Sequence, residues 1–564
     1  MPIPASVIRS TLLLIALLAA IVPLHARQSI TEPGDTAPEV MGCTKKQTGD
    51  PDIHCAGAGN PINLITGNKY QQEVDMAALP GVLGLEIVRH YNSAHSIPGA
   101  PNGLVGRGWK LSYETTLFAN GNSIQIVQAD GTRLMFGRDP LNRALCQPVD
   151  PANGIVTIRR TPRDGDEYLW RHTDGTAYLF DRSGNLVQIV APSGEFVSLL
   201  YDRDGQLMQV TDPQNRQLHL QRPDRETRSK NQFSGVQTID SPVGRFRYHY
   251  GSTLPAGATV APIMLVANLV GVDFPSGVGE TDDGAAASDT SRTPSHGSAA
   301  RHYHYEDPQQ PTRLTGISVS GKVNGSIATR RLSTFGYQAD GRAILSTHAN
   351  DVDRVTLAYP AAGTTILTNS LGRITVYQHA SIAGENRILS SRGPGCRLCS
   401  PTNIRFGYDA LAHEITATRL DDQGKPERTT QTQRDYYGRP LSISERTYRG
   451  GVAGPARTLV RYEYAPGALP VPVRLARPSV VPGREATTTI AYNDVGQLLS
   501  VVDAGWAPAI DGGTPQPITR KTAYRYDRIN GRSLLVQVDG PLANGPTGTS
   551  ADSDIITFHY DRRG

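Results

Sequence analysis

One phrase recurs along this chain and limits what it can fold into. Tyr201-Asp202-Arg203-Asp204-Gly205-Gln206-Leu207-Met208-Gln209-Val210 reads as aromatic, Asp, two variable residues, Gly, one variable residue, then an aliphatic strand. Copies stand at Phe180-Asp181 with Gly184 and Leu186, at Tyr337 with Gly341, and at Tyr408-Asp409, where Ala412 replaces the Gly. Others stand at Asp435 with Gly438 and Leu441, and at Tyr492-Asn493 with Gly496 and Leu498. Tyr526-Asp527 reaches its Gly531 with one residue inserted, and Tyr560-Asp561 meets the last residue, Gly564.

Each part of the phrase has a mechanical reason. The aromatic ends one strand and packs on the sheet. Asp can accept hydrogen bonds from the backbone N–H groups of a turn. Gly takes the positive-φ position that reverses the chain. Alternating Leu and Val start the next strand. One such hairpin cannot bury its apolar face alone, whereas hairpins stacked in series bury it and cover the open strand edges. Recurrence of this kind implies a repeat array rather than a set of unrelated turns.

Composition agrees. With 57 Gly and 40 Pro spread through 564 residues, punctuation by tight turns is favoured over long helices. Tyr dominates the aromatics, 23 against 10 Phe and 3 Trp, which suits half-buried strands whose rings pack while their hydroxyls reach a polar group. The 56 Lys and Arg are interleaved with 52 Asp and Glu, giving a net charge of only +4. Without a basic stripe, counterion release cannot drive binding, so nucleic acid is not an expected partner.

At the N-terminus Arg9 precedes an apolar run from Leu12 to Val22, followed by Leu24-His25-Ala26 as a small-residue cleavage site. Residues 1–26 therefore read as a signal peptide, too short in its apolar core for a stable membrane span. The mature chain is expected to be secreted, periplasmic or extracellular. Residues 27–58 read as a flexible linker. In an oxidising compartment most of the five cysteines should pair. Cys43 and Cys55 can close a small loop, Cys396 and Cys399 form a CxxC flanked by Pro394, Gly395 and Pro401, and Cys146 is left over. A structural disulfide is favoured over zinc or redox chemistry at Cys396–Cys399, because no second ligand pair lies nearby and no helix opens there.

From residue 59 the texture is that of short strands. Asn63 to Tyr70 reads as strand, turn, strand, with Thr66-Gly67-Asn68 in the turn. Leu85 to Tyr91 alternates as a strand with one wet face. Gly106-Arg107-Gly108-Trp109 reads as a bend feeding a strand through Leu111, Tyr113 and Thr115. Hairpin turns are expected at Asn120-Gly121 and Asp130-Gly131. Residues 275–300, rich in Gly, Ala, Ser, Thr and Asp, read as a disordered insertion.

The repeated phrase resembles the YD repeat of Rhs proteins and of teneurin-type shells. The block Gly59 to Tyr70, with Leu79-Pro80-Gly81, Arg89-His90-Tyr91 and Gly106 to Trp109, resembles the uncharacterised domain that often precedes such repeats. The resemblance implies an all-β fold, in which antiparallel hairpins form a curved sheet in part of a hollow shell. A smaller β-rich domain at 59–140 would precede a repeat region at 141–564. It also implies an exported scaffold that encloses or presents a polypeptide, with a toxin cargo either C-terminal or separate. No variable C-terminal domain or Asp-Pro-rich releasing motif is present in this chain, which as given stops inside a repeat.

No catalytic, cofactor-binding or metal constellation is expected. Gly316 to Val323 resembles a phosphate loop, but Val323 stands where Ser or Thr would hold Mg²⁺, and Ser320-Gly321-Lys322 reads better as a hairpin. His413-Glu414 begins like a zincin helix, yet Ala417 occupies the second His position. His302 and His304 share a strand face and His249 has a similar setting, so a three-histidine metal site needs those strands to pair. Alternation of aromatics and imidazoles on a half-wet sheet is the preferred reading. The alternative function is a cell-surface module binding glycans or proteins, with Trp109 or Trp170 as an aromatic platform.

Overall fold

The computed structural model describes residues 57–560, apart from 149, 162–164, 224–231, 276–298, 324–325, 397–398, 400–401, 466–470, 494–495, 510–512, 530–531 and 543–553. The signal segment, the Cys43–Cys55 pair, all but the ends of the 275–300 insertion and Asp561 with Gly564 lie outside the described residues. Of the 27–58 stretch, Gly57–Ala58 pairs with Ile62–Asn63. Among the described residues every regular element is a strand, except four short 3-10 turns at Ser93–His95, Pro151–Asn153, Pro262–Leu265 and Ala349–Asp351. The all-β expectation holds.

The chain divides into two compact units. The first contains residues up to Thr116, Ile126–Arg133 and Ser198–Thr402; the second contains Leu117–Gln125, Leu134–Val197 and Asn403–Gly564.

In the first unit, Tyr70–Met76, Ile87–Asn92 and Trp109–Leu111 make a small antiparallel sheet. A longer run of antiparallel strands extends from Leu207–Thr211 to Glu385–Arg392, each described strand paired with the next in sequence. The small sheet lies against one face of this run. Ile87–Asn92 is therefore buried at every position, which corrects the expectation of one wet face: its polar residues are covered as fully as its apolar ones. The strand at Trp109 also ends earlier than expected, at Leu111. Glu114 Oε2 accepts the Leu111 N–H at 2.6 Å and turns the chain before Tyr113 and Thr115 can extend it.

In the second unit, strands from Ile404–Tyr408 to Arg532–Asp539 form a further antiparallel series. Several are wet on both faces. Pro426–Arg434 and Pro440–Arg449 bury no residue fully, and Gln516–Ile529 buries only Tyr524. Threonine, arginine and glutamine fill positions that a packed core would give to aliphatics.

The reversals share one backbone design. At twelve described turns, the N–H of residue i bonds the carbonyl of i+4, and the N–H of i+3 bonds the carbonyl of i. At the phrase copies the pairing register shifts beside the residue before the turn, as at Leu200/Tyr201, Gly336/Tyr337, Gly407/Tyr408 and Ala491/Tyr492. This is a tight turn followed by a one-residue bulge, with position i+3 left-handed. Asp202 Oδ1 accepts from the N–H groups of Asp204 at 2.9 Å and Gln206 at 2.8 Å. Asp181, Asp409 and Asp435 hold their turns in the same way. Asn493 makes the equivalent bond to the Gln497 N–H. Ala412 occupies the left-handed position at φ 65°, so the degenerate copy keeps the turn despite its Cβ.

Three readings need correction. Tyr526 and Asp527 lie inside the strand Gln516–Ile529, opposite Leu535 and Leu534, so this aromatic does not end its strand, although the reversal between Ile529 and Arg532 stays within the phrase that runs to Gly531. Ser320-Gly321-Lys322 also runs within a strand, Gly316–Val323, and there the reversal comes after Val323, past the residues that suggested it. Trp109 and Trp170 are completely buried, so neither offers a platform to a glycan.

The glycine at i+3 can be required by conformation alone or by space as well. At Gly205 an added methyl group would meet open space, but at Gly184 it would sit 1.8 Å from the Leu117 carbonyl oxygen. Gly205→Ala should cost about 1–2 kcal/mol, the left-handed penalty. Gly184→Ala should cost clearly more, because the Leu117 backbone must move. Urea unfolding of the two variants checks this, and equal midpoints would contradict it.

Candidate functional site

The most strongly organised polar cluster in the first unit is a buried charged seam. Along Tyr70–Met76 and the residue before it, Lys69, Gln71 and Glu73 recur at the strand period of two, and Asp75 follows. A solvated face would be the ordinary home for such residues, yet all four are buried. Across them lie Arg301 and Tyr303 of Ala300–His304 and Tyr248 of Gly244–Tyr250. Arg89 clamps Asp75 with two bonds, Nε–Oδ2 at 2.6 Å and Nη2–Oδ1 at 2.7 Å, and donates from Nη2 to the Tyr303 hydroxyl at 2.6 Å. Tyr248 donates to Asp75 Oδ2 at 3.0 Å, and Tyr303 donates to Glu73 Oε2 at 3.3 Å. Arg301 pairs with Glu73, and Gln71 donates to the other Glu73 oxygen at 2.8 Å.

Aromatic rings complete the shell. The Arg89 guanidinium lies 4.8 Å from the Trp109 ring and 5.1 Å from that of Tyr303. Burial opposes charge on Arg89, but Asp75 prevails and holds its pKa well above the ordinary value. Burial pulls the Lys69 ammonium well below its ordinary value, with Glu73 opposing. Beside the seam, burial drives the His90 imidazole down to about 3, with Lys110 adding to the effect. His90 Nδ1 meets the Tyr70 hydroxyl at 2.7 Å, and Nε2 meets Ser112 Oγ at 3.1 Å. Burial raises the Glu114 carboxyl to about 6. The seam ties the small sheet to the longer one. Its carboxylates are engaged by arginines and tyrosines, which makes it a fastening rather than a reactive centre.

The repeat tyrosines have a second task. Two of them donate their hydroxyls backward to a backbone carbonyl, Tyr337 to Leu314 and Tyr560 to Leu535, each at 2.7 Å, and Tyr464, outside the phrase copies, does the same to Pro440 at 3.0 Å. The Tyr337 hydroxyl thereby joins its own turn to the preceding hairpin.

The histidine face is built differently from a metal site. His249, Gly271, His302 and Ser318 lie in one cross-strand row, but the strand Leu269–Asp273 stands between those of His249 and His302, which pair with it and not with each other. His249 Nε2 turns to Asp273 Oδ2 at 2.7 Å, His302 Nε2 to Ser320 Oγ at 3.0 Å, and His304 Nε2 to Ser318 Oγ at 2.8 Å. Among the described residues no three His, Cys, Asp or Glu side chains converge as metal ligands. Ser318, His304 and Glu306 do follow a triad order, with His304 Nδ1 3.4 Å from Glu306 Oε1. Arg331 clamps that carboxylate at 3.0 and 3.1 Å and holds it below its ordinary pKa. Ser318 is only 3% exposed, however, and Ser320 6%, so neither hydroxyl can reach a substrate carbonyl. These pairs are cross-strand tethers.

His413 lies in a turn ahead of the strand Glu414–Leu420, with Nδ1 2.9 Å from Asp409 Oδ2, so it opens no zincin helix. Cys396 and Cys399 are joined as a disulfide, and Cys146 is free and buried. Sequence reasoning missed Glu73, Asp75, Arg89, Arg301 and Tyr303 as partners. The period-two polar run 69–73 was the available signal. It also missed turns at Asp212, Asn369 and Asp421, which share the backbone design but follow Thr or Leu instead of an aromatic.

Two family matches fit this architecture. DUF6531, a domain of unknown function, matches residues 59–136, and the RHS Repeat matches residues 158–222. The chain carries an RHS Repeat behind a DUF6531 domain. No curated protein matches it. Among solved structures, this chain is similar to a Photorhabdus luminescens Tc holotoxin pore with mutant TccC3. The identity is 11%, covering 87% of this chain and 26% of that one, with a TM-score of 0.39. It is also similar to TcdB2-TccC3-TEV, at 10% identity, 88% and 25% coverage and a TM-score of 0.38. TcdB2-TccC3-Cdc42 gives 11%, 84% and 26%, and 0.37. The Rhs-repeat chain spans about a quarter of the length of these structures.

Two expectations follow from the seam. Arg89→Met strands Asp75 in a buried site and should cost about 3–5 kcal/mol, with much of the loss recovered in Arg89→Met/Asp75→Leu. Urea unfolding of the single and double variants measures this, and an additive double variant would refute the pairing. His90 gives a pH signature. Its folded pKa is depressed, so its stabilising contribution is present above about 6.5 and lost as pH falls toward 3. Glu114 has the opposite sign, its contribution declining as pH rises from 4.5 to about 6. The stability advantage of wild type over His90→Gln should therefore shrink by about 3 kcal/mol between pH 7 and pH 4. A constant difference would rule out a neutral, buried His90.

Proposed function

We propose that this Rhs-repeat chain is an exported, non-catalytic β-scaffold whose sheet walls off or presents a polypeptide during toxin delivery between cells. The observation that carries the reading is the two-sided wetness of the second unit. Pro426–Arg434 and Pro440–Arg449 pair through their full length yet leave both faces without a fully buried residue. A sheet of an ordinary domain packs one face on a core. A wall with water or cargo on either side does not need to. The hairpin repeats supply such a wall with no open edge inside the series, and the RHS Repeat match supports the family context. Export rests on the signal-type residues 1–26. The Ser–His pairs favour a scaffold over a hydrolase, because their hydroxyls are covered.

The reading is tested by fusing a protease-sensitive polypeptide after Gly564 of the full chain, then treating the purified fusion with a nonspecific protease under native conditions. A shielded polypeptide should survive several-fold longer than the same polypeptide free in solution. Urea, at a concentration that unfolds the repeats, should abolish the protection. Cleavage at the free rate in the folded fusion would overturn the proposal.

A further inference from the structure

Beside the strands Thr238–Ser241 and Gly244–Tyr250, the first unit contains an open cavity of 420 Å³ lined in part by Phe233, Gln237, Thr238, Arg247, His249 and Tyr250. That volume falls within the range of small-molecule sites, roughly 300–1,000 Å³. One side is apolar and fixed. The Phe233 and Tyr250 rings meet edge to face with centroids 4.7 Å apart, and the Tyr250 hydroxyl is anchored to the Val236 carbonyl. The other side is polar. Thr238 Oγ1 donates to Gln221 Oε1 at 2.9 Å, which leaves its oxygen able to accept. His249 is held by Asp273 at the rim.

Arg247 is the uncompensated group. Among the described residues no carboxylate forms an ion pair with it. Asp240 feels its charge, but both Asp240 oxygens are taken by Arg245. An exposed guanidinium with a free fork matches a single carboxylate in two-point geometry. A phosphate dianion fits less well, because Asp240 and Asp273 border the same surface. An extended peptide cannot dock by strand addition, because Thr238–Ser241 and Gly244–Tyr250 are already paired on both sides. The remaining chemistry is an apolar wall, an amide, a hydroxyl and one cation around a space for a ring.

We propose that this cavity binds an acidic saccharide, a pyranose bearing a carboxylate as uronic acids do. The carboxylate would meet Arg247, the ring hydroxyls Gln237 and Thr238, and the apolar ring face the Phe233–Tyr250 wall. Nothing in this assignment depends on whether the sheet encloses a polypeptide, so either proposal can fail alone.

Isothermal titration of the full chain with trigalacturonic acid and with maltotriose, its neutral counterpart in length, tests the assignment. The acidic trimer should bind and the neutral one should bind at least tenfold more weakly. Arg247→Gln should lose the acidic trimer by at least tenfold, whereas Arg354→Gln, a surface arginine paired with Asp351, should bind it as wild type does. Circular dichroism of the Arg247→Gln variant confirms that the sheet is retained. Equal binding of the two trimers, no binding of either, or undiminished binding by Arg247→Gln would overturn the proposal.

Discussion

The hairpin with a left-handed residue at its fourth position is the constraint on which the rest of the structure depends. In a sheet with one buried face, burial sets the register, because a slip of one residue turns every apolar side chain outward. The second unit has little burial to use. Its strands carry Thr, Arg, Gln and Glu on both faces, and a slip between them would cost little in apolar area. Register there must come from the turns. An Asp or Asn side chain holding the N–H at i+4 fixes where the reversal ends, and the bulge that follows fixes which residue faces which. Tyrosine hydroxyls add bonds to earlier strands, Tyr464 to the Pro440 carbonyl and Tyr560 to that of Leu535.

The first unit solves a different problem. Its small sheet is covered on both sides and carries charges that solvent no longer reaches. A buried ion pair is weak evidence for net stability, since desolvation opposes the Coulombic gain. Its geometry is selective, however. The Arg89–Asp75 pair lies within the small sheet, and the placement of that sheet is selected by its contacts outward, Arg89 to Tyr303, Asp75 to Tyr248 and Glu73 to Arg301. An apolar interface of the same area would tolerate sliding. The seam thus does for the packing of two sheets what the aspartate turn does for the pairing of two strands: it excludes neighbouring registers.

Much of this was legible in the sequence, and the gaps follow a physical rule. The phrase at Tyr201–Gly205 is local, because its chemistry lies within five residues, and it was readable wherever aromatic, acid and glycine were all kept. Where tertiary pairing extended a strand, as at Ser320-Gly321-Lys322, the local letters no longer marked a reversal. Asp212 and Asp421 make the turn without an aromatic, since the backbone needs only the acceptor and the left-handed residue. The seam was invisible for the opposite reason. Glu73 and Arg301 are 228 residues apart, and nothing local distinguishes a buried polar strand from a wet one. The aromatic platforms expected at Trp109 and Trp170 failed likewise, because large rings in this chain serve the core first.

The same economy of backbone determines where recognition can occur. Within each series of strands the ladder uses the main-chain donors and acceptors on both sides of a strand, so a ligand cannot bind by extending the sheet there. The turns hold their own N–H groups with Asp and Asn side chains, which removes the usual nests for anions. Recognition is left to side chains, at places where the regular alternation is interrupted. The shift at His249/Tyr250 is such a place. It re-aims consecutive side chains at the end of a strand and brings Arg247, His249 and the Tyr250 ring to one opening. A bulge outside the repeated turns thereby opens a pocket, and the chemistry of that pocket is set by residues that no turn needs.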